Sequence, residues 1–180
     1  GGSDRKQFHT HVSGWLAEYH GVRDAVYISG PEDNAESDIR RMALEDVLGE
    51  FGVSFREENV LYGNWNYHEV YDKLPEFIEK RSKLPDAFIC ANDVMAKGIC
   101  EWFVERGYKV PDDVKVTGYD CVRLGREFEP VLTTVTHRWN EMGDRALSML
   151  LDKISGKATR SHVTLKTGFV CGESCGCKIL

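Results

Sequence analysis

The sequence lacks the long apolar segments of a membrane protein. No apolar run approaches the roughly 18 residues that a transmembrane helix requires. The chain starts with Gly1-Gly2-Ser3 and has no charged and apolar leader. We therefore expect no membrane contact. Because this start also lacks a methionine, we expect the chain to be a piece of a longer protein. Cys90 and Cys100 fall in elements predicted to be buried, which favours free thiols over disulfides and hence a location in the reducing cytoplasm.

Positive charge is also scarce. The chain carries 23 lysine and arginine residues against 29 aspartate and glutamate residues, which gives a net charge of -6. No stretch concentrates basic residues beyond what an ordinary solvated surface shows. A nucleic-acid-binding surface needs such a concentration, because it must neutralise phosphates. The composition therefore argues against DNA binding by this chain alone.

The sequence shows no catalytic arrangement. Its six histidines are scattered at positions 9, 11, 20, 68, 137 and 162, and no serine or cysteine stands in a Gly-x-Ser-x-Gly turn. A nucleophile needs a base within hydrogen-bonding reach, and the spacing indicates no such pair. We expect neither an enzyme nor a bound cofactor.

A metal centre is poorly supported by the last three cysteines. Cys171, Cys175 and Cys177 are spaced C-x3-C-x-C and lack the paired C-x2-C units of a zinc ribbon. They offer three ligands where a structural zinc ion takes four. His162 or a second copy of the chain would have to complete such a site. We predict no metal site, with a cysteine-based metal or redox module as an open alternative.

The clearest pattern present is a buried strand followed by a helix. The apolar run 87–91 is too short for a helix and lies between Pro-Asp and Asn-Asp, which predicts a strand buried on both faces. Apolar residues then recur at helical spacing from Asp93 onwards, with Asn92 or Asp93 as the N-cap. Cys90 and Cys100 fall inside these two elements, where cysteine behaves as a small hydrophobic residue.

A second strand completes a βαβ unit. Gly107 ends the helix as a left-handed cap, and the apolar residues from 114 to 117 predict a buried strand that stops at Gly118. Similar patterns predict helices over 4–20, 37–51, 67–81 and 140–154, strands over 24–30, 60–62 and 131–135, and one or two closing strands between 163 and 170. The predicted fold class is α/β, a three-layer, Rossmann-like lobe with a mainly parallel sheet.

Polar side chains follow three of the predicted strands. Asn92 comes directly after the first strand of the βαβ unit and Asp120 after the second. Because the carboxyl ends of parallel strands form the ligand crevice, an amide and a carboxylate are expected there. Simple capping is the alternative for both. Trp65 lies in a Gly-Asn-Trp-Asn loop after another strand, where it could stack on a sugar ring or cap the core.

The helix over 37–51 carries a basic pair. With Ser37 or Asp38 as its cap, Arg40 and Arg41 fall in its first turn. Cations there oppose the helix dipole, so at least one of the two arginines should have an anionic or hydrogen-bonding partner. An ordinary surface arginine is the alternative.

Three longer stretches carry a family likeness: PDAFICANDVMAKG, ERGYKVPDDVKVTGYD and PVLTTVTHRWNEMGDRALSMLLDKISG. Their order and spacing resemble the effector-binding domain of the LacI/GalR family of bacterial transcription regulators. The resemblance runs from Asp4 to the end and implies a two-lobed fold like that of type I periplasmic binding proteins. The chain would then comprise the C-terminal lobe over 4–120, a crossover strand and helix over 121–158, and a return strand and tail over 159–180. The first lobe is expected to be incomplete and the DNA-binding headpiece to be absent.

The resemblance also implies a set of ligand-binding residues. In the family an arginine three residues ahead of a Gly-aromatic pair reaches into the effector cleft, and Arg40 takes that place, although Ala43-Leu44 replaces the pair here. An aromatic residue near the position of Trp65 lines the cleft in relatives. With Asn92 and Asp120, these residues supply the donors, acceptors and aromatic face that a sugar-like or nucleoside-like effector needs. Effector binding would bias closure of the two lobes, and DNA would be reached only through the headpiece.

Two expectations concern partners. The crossover helix has an apolar face that in relatives packs on the first lobe, so we expect this chain to form a homodimer and to bind effector weakly or not at all by itself. The Ser-Cys-Gly-Cys ending also resembles LacI-like sensor domains that are joined to another output, such as a diguanylate cyclase or a two-component module. A signalling protein therefore stays open as an alternative to a transcription regulator.

Overall fold

A six-stranded sheet forms the centre of the molecule. The computed structural model describes residues 12–121, 129–158, 160 and 162–177. The strands are Ala25–Ser29 (β1), Val60–Tyr62 (β2), Ala87–Cys90 (β3), Lys115–Asp120 (β4), Thr133–Thr136 (β5) and Gly168–Val170 (β6). They lie in the order β2-β1-β3-β4-β5-β6. Strands β1 to β5 are parallel, and β6 runs antiparallel to β5. The predicted α/β class with a mainly parallel sheet is confirmed.

Helices cover both faces of this sheet. They are Val12–Tyr19 (α1), Ala35–Glu50 (α2), Tyr67–Glu79 (α3), Asp93–Glu105 (α4) and Trp139–Ile154 (α5), and a short 3-10 helix precedes β2. The chain moves from β1 outward to β2 and then returns past β1 to β3. Right-handed crossovers therefore place α2 on one face and α3 and α4 on the other. In agreement, α1 packs on α2, and α3 packs on α4. None of the helices described is long and apolar enough to cross a membrane.

Asparagine side chains start three of the helices. The side-chain oxygens of Asn34, Asn66 and Asn92 accept hydrogen bonds from backbone N–H groups in the first turns of α2, α3 and α4. The prediction of Asn92 as a cap is confirmed. The prediction of Ser37 or Asp38 as the cap of α2 was wrong, because Asn34 starts that helix earlier. The basic pair consequently lies in the second turn of α2 and not in its first.

Strand β4 runs further than the sequence predicts. We expected it to stop at Gly118, but it continues to Asp120. A Cβ atom on Gly118 would lie 2.2 Å from Oδ1 of Asp93, the first residue of α4. Asp93 is fully buried and accepts a 2.6 Å hydrogen bond from the Thr134 hydroxyl on β5. The glycine therefore makes room for a buried carboxylate and does not mark a turn.

The predicted burial of two cysteines is confirmed. Cys90 at the end of β3 is 1% exposed and Cys100 within α4 is 3% exposed. Burial raises the pKa of the Cys90 thiol well above its ordinary value and that of Cys100 to about 12. Both thiols stay protonated at neutral pH, so they act as small apolar side chains.

Helix α5 differs from the other helices because none of its residues is buried. Apolar residues at helical spacing usually mark a buried face, yet Leu150 is 54% exposed and Ile154 is 74% exposed. The helix itself is confirmed. Its apolar face has no packing partner within the part of the chain that the structure describes.

The ends of the chain allow fewer comparisons. The first turns of the helix predicted over 4–20 and most of the polar segment after Asp120 lie outside the described residues. The closing strand is confirmed only over Gly168–Val170, and Val163 and Leu165 belong to an irregular segment. Strand β5 begins two residues later than predicted, at Thr133.

The contact between Gly118 and Asp93 gives a stability prediction. We expect Gly118→Ala to lower the free energy of unfolding by about 1 to 3 kcal/mol, because the added methyl group must displace a buried carboxylate. Gly143→Ala on exposed α5 is the matched control, since nothing lies within 4 Å of its Cβ position. That change should leave the free energy of unfolding the same or slightly higher. Urea denaturation measures both, and equal effects of the two changes would contradict the prediction.

Candidate functional site

The four residues singled out from the sequence come together at one edge of the sheet. Asp120 ends β4, Asn92 follows β3, and Trp65 lies in the loop after β2. Arg40 extends from α2, the helix that follows β1. Since β1 to β4 are parallel, their carboxyl ends meet at this edge, which we call the carboxyl edge.

Arg40 joins three elements of this edge. Its side chain is 10% exposed, and Nη1 donates a hydrogen bond to the carbonyl oxygen of Ala91 after β3. Nη2 donates to Oε1 of Glu36 at 2.5 Å and lies 3.6 Å from Oδ1 of Asp120. The guanidinium therefore spans the point between β1 and β3 where the strand order reverses, the place where open α/β sheets bind ligands. The alternative of an ordinary surface arginine is excluded.

Two aromatic rings frame the same guanidinium. Its central carbon lies 4.0 Å from the centre of the Tyr119 ring and 5.4 Å from that of Trp65, within cation–π range. Tyr119 is 1% exposed, and burial raises the pKa of its hydroxyl while Arg40 partly offsets the rise. Trp65 packs against Gly30, where a Cβ atom would lie 2.2 Å from the indole. Trp65 thus packs on the core and borders the carboxyl edge at once.

The backbone of this edge is strained. Among the described residues, four that are not glycine have a positive φ: Asn64 (52°), Trp65 (60°), Asp120 (99°) and Cys121 (50°). Asn64 and Trp65 lie in the loop after β2, Asp120 ends β4, and Cys121 follows it. Such conformations cost about 1 to 3 kcal/mol each and persist where the surrounding structure imposes them, often at binding sites. The concentration of strain here favours a functional edge.

Asn92 keeps its capping role at this edge. Its side-chain oxygen accepts a 2.8 Å hydrogen bond from the backbone N–H of Met95. Its amide nitrogen donates to none of the described residues, so this nitrogen is the part of the side chain that can face a ligand. Capping and ligand contact are therefore compatible for this residue.

His137 is a member of the edge that the sequence analysis missed. Its Nε2 lies 3.5 Å from Oδ1 of Asp120, and its ring centre lies 5.4 Å from that of Tyr119. The signal was present, because His137 directly follows β5 just as Asn92 and Asp120 follow or end their strands. The six histidines are scattered along the sequence, but the ends of parallel strands bring distant positions together.

Two grooves lie near the sheet. One, of about 400 Å³, begins at His137 and runs between α5 and the segment 162–166. The other, of about 460 Å³, lies at the opposite edge of the sheet. The second groove is lined by Asp24 and Arg81, which already pair with each other at 2.7 Å. Of these two grooves, the first adjoins the residues described above, at His137.

Comparison with known proteins gives consistent matches. Residues 18–175 match the family of periplasmic binding protein-like domains. The HTH-type transcriptional repressor PurR of Pectobacterium carotovorum is 34% identical over 143 residues, which is 79% of this chain and 42% of the repressor. PurR of Mannheimia succiniciproducens is 32% identical over 166 residues, 89% of this chain and 49% of the repressor. The chain thus spans less than half the length of these curated relatives.

Solved structures agree with this match. The Escherichia coli transcriptional repressor ascG superposes with a TM-score of 0.84 at 23% identity, covering 95% of this chain and 62% of the repressor. A complex of the transcriptional regulator CelR with cellobiose superposes with a TM-score of 0.80 at 27% identity, covering 96% of this chain and 51% of the regulator. At this identity the likeness to ascG concerns the fold alone.

The contacts of Arg40 predict an unequal effect of two neighbouring substitutions. Arg40→Lys should lower the free energy of unfolding by about 1 to 3 kcal/mol, because lysine cannot keep the fork of hydrogen bonds to the Ala91 carbonyl and Glu36. Arg41→Lys is the control, since the Arg41 side chain is 23% exposed against 10% for Arg40 and makes its ion pairs with Glu45 and Glu57. Its effect should stay within about 1 kcal/mol. Chemical denaturation of both variants measures the difference, and an equal loss would mean that Arg40 does not organise the edge.

Proposed function

Because the chain belongs to the family of periplasmic binding protein-like domains, the effector-binding domains of LacI-family transcription regulators, we propose that its carboxyl edge binds a sugar-like or nucleoside-like effector. Its curated relatives are repressors and the chain is non-catalytic, as the sequence predicts. The observation that carries the proposal is the convergence of Arg40, Trp65, Asn92 and Asp120 on one edge.

Each of these groups has a distinct part in binding. The Asp120 carboxylate is 29% exposed and accepts hydrogen bonds from ligand hydroxyl groups, while Arg40 holds it in place. The indole of Trp65 supplies an apolar face for a sugar ring. The amide nitrogen of Asn92 donates to a ligand oxygen. His137, beside Asp120, adds a further polar contact.

In the whole protein, the effector would lie between this lobe and a second lobe. Its binding would bias a hinge between the two lobes and pass the change to the DNA-binding headpiece of a cytoplasmic regulator. Coupling of this kind is typically worth about 1 to 3 kcal/mol. If the output domain were instead a signalling enzyme, such as a diguanylate cyclase, the effector would still bind at the carboxyl edge and bias the same hinge.

The effector proposal predicts a local response in solution. On titration with cellobiose, and separately with monosaccharides and nucleosides, the indole N–H signal of Trp65 should move in ¹⁵N-correlated NMR spectra. The affinity should be weak, in the millimolar range, because one face of the site is open to water on this chain. Trp102 is the internal control, because it lies in α4 and is 7% exposed.

Paired substitutions sharpen the same titration. Asp120→Asn should weaken binding about 10-fold or more, because a charge-assisted hydrogen bond contributes about 1.5 to 3 kcal/mol. Asp112→Asn, on an exposed loop, should leave the affinity unchanged. A Trp65 signal that no compound moves, or one that moves equally in both variants, would contradict the proposal.

We further propose that α5 pairs with a second copy of the chain. Its exposed apolar residues include Leu147, Leu151 and Ile154, which recur at helical spacing along one face. A contiguous exposed apolar face of this kind marks an interface or a site of aggregation. A symmetric contact between two α5 helices would cover it.

Sedimentation velocity over a dilution series tests the dimer. The wild-type chain should sediment as a dimer at micromolar concentration, and the double change Leu147→Gln with Leu151→Gln should shift it to a monomer. Met42→Gln is the control, since Met42 is 54% exposed on α2 and lies outside this face. A wild-type chain that is monomeric throughout the series would rule the dimer out.

A further inference from the structure

Three metal-binding side chains meet at the edge of the sheet opposite the effector site. Nε2 of His20 and the sulfur atoms of Cys175 and Cys177 all lie within 4.8 Å of one another. The two sulfurs are 3.2 Å apart, and the Cys177 sulfur lies 3.4 Å from the histidine nitrogen. The thiol of Cys171, on the same turn, is exposed and does not lie within 4.8 Å of all three of these atoms. His20 is 155 residues ahead of Cys175 in the sequence, so only the fold unites them.

We propose that His20, Cys175 and Cys177 bind a zinc ion and that the Cys171 thiol moves in as the fourth ligand. A tetrahedral zinc ion with Zn–S distances near 2.3 Å holds its sulfur ligands about 3.8 Å apart. The distance between the Cys175 and Cys177 sulfurs, 3.2 Å, therefore needs to increase by only about half an ångström to accept the ion. One imidazole and three thiolates match the softness of zinc, and binding releases the thiol protons to solvent.

The cysteine turn is held in place independently of any ion. The Ser174 hydroxyl donates to the carbonyl oxygen of Val116 at 2.6 Å and accepts from the backbone N–H of Thr133 at 2.9 Å. The backbone N–H groups of Glu173 and Ser174 both donate to the carbonyl oxygen of Val131. The turn is thus bound to the starts of β4 and β5. A site anchored in this way loses little entropy when it takes up an ion.

Two donors outside the ligand set point at the sulfurs. The Thr133 hydroxyl donates to the Cys175 sulfur at 3.0 Å, and the Trp15 indole N–H donates to the Cys177 sulfur at 3.1 Å. The Trp15 N–H also donates to His20 Nε2 at 3.1 Å, and zinc would replace this second contact. Such second hydrogen bonds orient metal-bound thiolates and stabilise their charge. They come from β5 and α1, so two elements outside the cysteine turn contribute donors to the cluster.

The zinc ion would have a structural role. It would link the turn 171–177 to His20, which directly follows α1. This link would lie at the edge of the sheet where the parallel strands begin, which we call the amino edge. This edge carries none of the four effector-site residues. His162, which the sequence suggested as a completing ligand, instead lines the groove beside α5.

Metal titration of the reduced, metal-free chain tests the proposal. One Zn²⁺ should bind per chain and raise the melting temperature by about 5 to 10 °C at a free concentration about 100 times the dissociation constant. Co²⁺ in its place should give the visible absorption bands of a tetrahedral thiolate complex and the ultraviolet sulfur-to-metal charge-transfer band.

Substitutions identify the ligands. His20→Gln and Cys177→Ser should each weaken Zn²⁺ binding more than about 100-fold, beyond the 10- to 100-fold loss typical of an outer-shell change. Trp15→Phe, which removes an outer-shell donor, should weaken Zn²⁺ binding by about 10- to 100-fold. His162→Gln and Cys121→Ser are the matched controls and should keep wild-type affinity and the Co²⁺ spectrum. Circular dichroism of the metal-free variants checks that each one folds.

Several outcomes would overturn the zinc site. These are no Zn²⁺ binding by the reduced, folded chain, loss of binding in His162→Gln with retention in His20→Gln, or a Cys175–Cys177 disulfide that forms in place of metal binding. The Trp65 response to sugars should persist in Cys177→Ser. Failure of the zinc site and failure of the effector proposal are therefore separable.

Discussion

The buried guanidinium of Arg40 is the interaction on which the carboxyl edge depends. It comes from α2, binds the carbonyl oxygen that follows β3, and lies beside the carboxylate that ends β4. Tyr119 and Trp65 enclose it on two sides. A buried cation is tolerated only when such partners surround it. The same partners therefore fix the separation of the strand ends and the position of the groups that would meet an effector.

Much of this arrangement could be predicted from local patterns. The uninterrupted apolar run at 87–91 and the helical spacing after Asp93 defined β3 and α4 nearly to the residue. The rule that polar residues follow buried parallel strands correctly placed Asn92 and Asp120 at one edge. The positions of β3, α4 and the polar residues after the strands follow from the apolar spacing within short stretches of sequence, so no distant contact is needed to predict them.

The features that were missed depend on contacts between distant segments. Gly118 has the sequence signature of a turn, yet it makes room for Asp93. His137 joins Asp120 from the next strand, and His20 joins cysteines from the other end of the chain. No neighbouring residue in the sequence marks His20, whereas the position of His137 directly after β5 is a signal of the kind that identified Asn92. The exposed apolar face of α5, by contrast, agrees with the expectation that the lobe on which this helix packs in relatives is missing.

The two edges of the sheet carry different kinds of groups. Strained backbone and exposed polar groups concentrate at the carboxyl edge, whereas the opposite edge is tied together by a hydrogen-bonded turn. The crystal structure of the chain soaked with cellobiose at high concentration is the most direct measurement of which edge senses a small molecule. We predict a sugar ring over the Trp65 indole with hydroxyl groups on Asp120. Sugar bound only in the groove beside α5, or only at the opposite edge, would contradict this assignment.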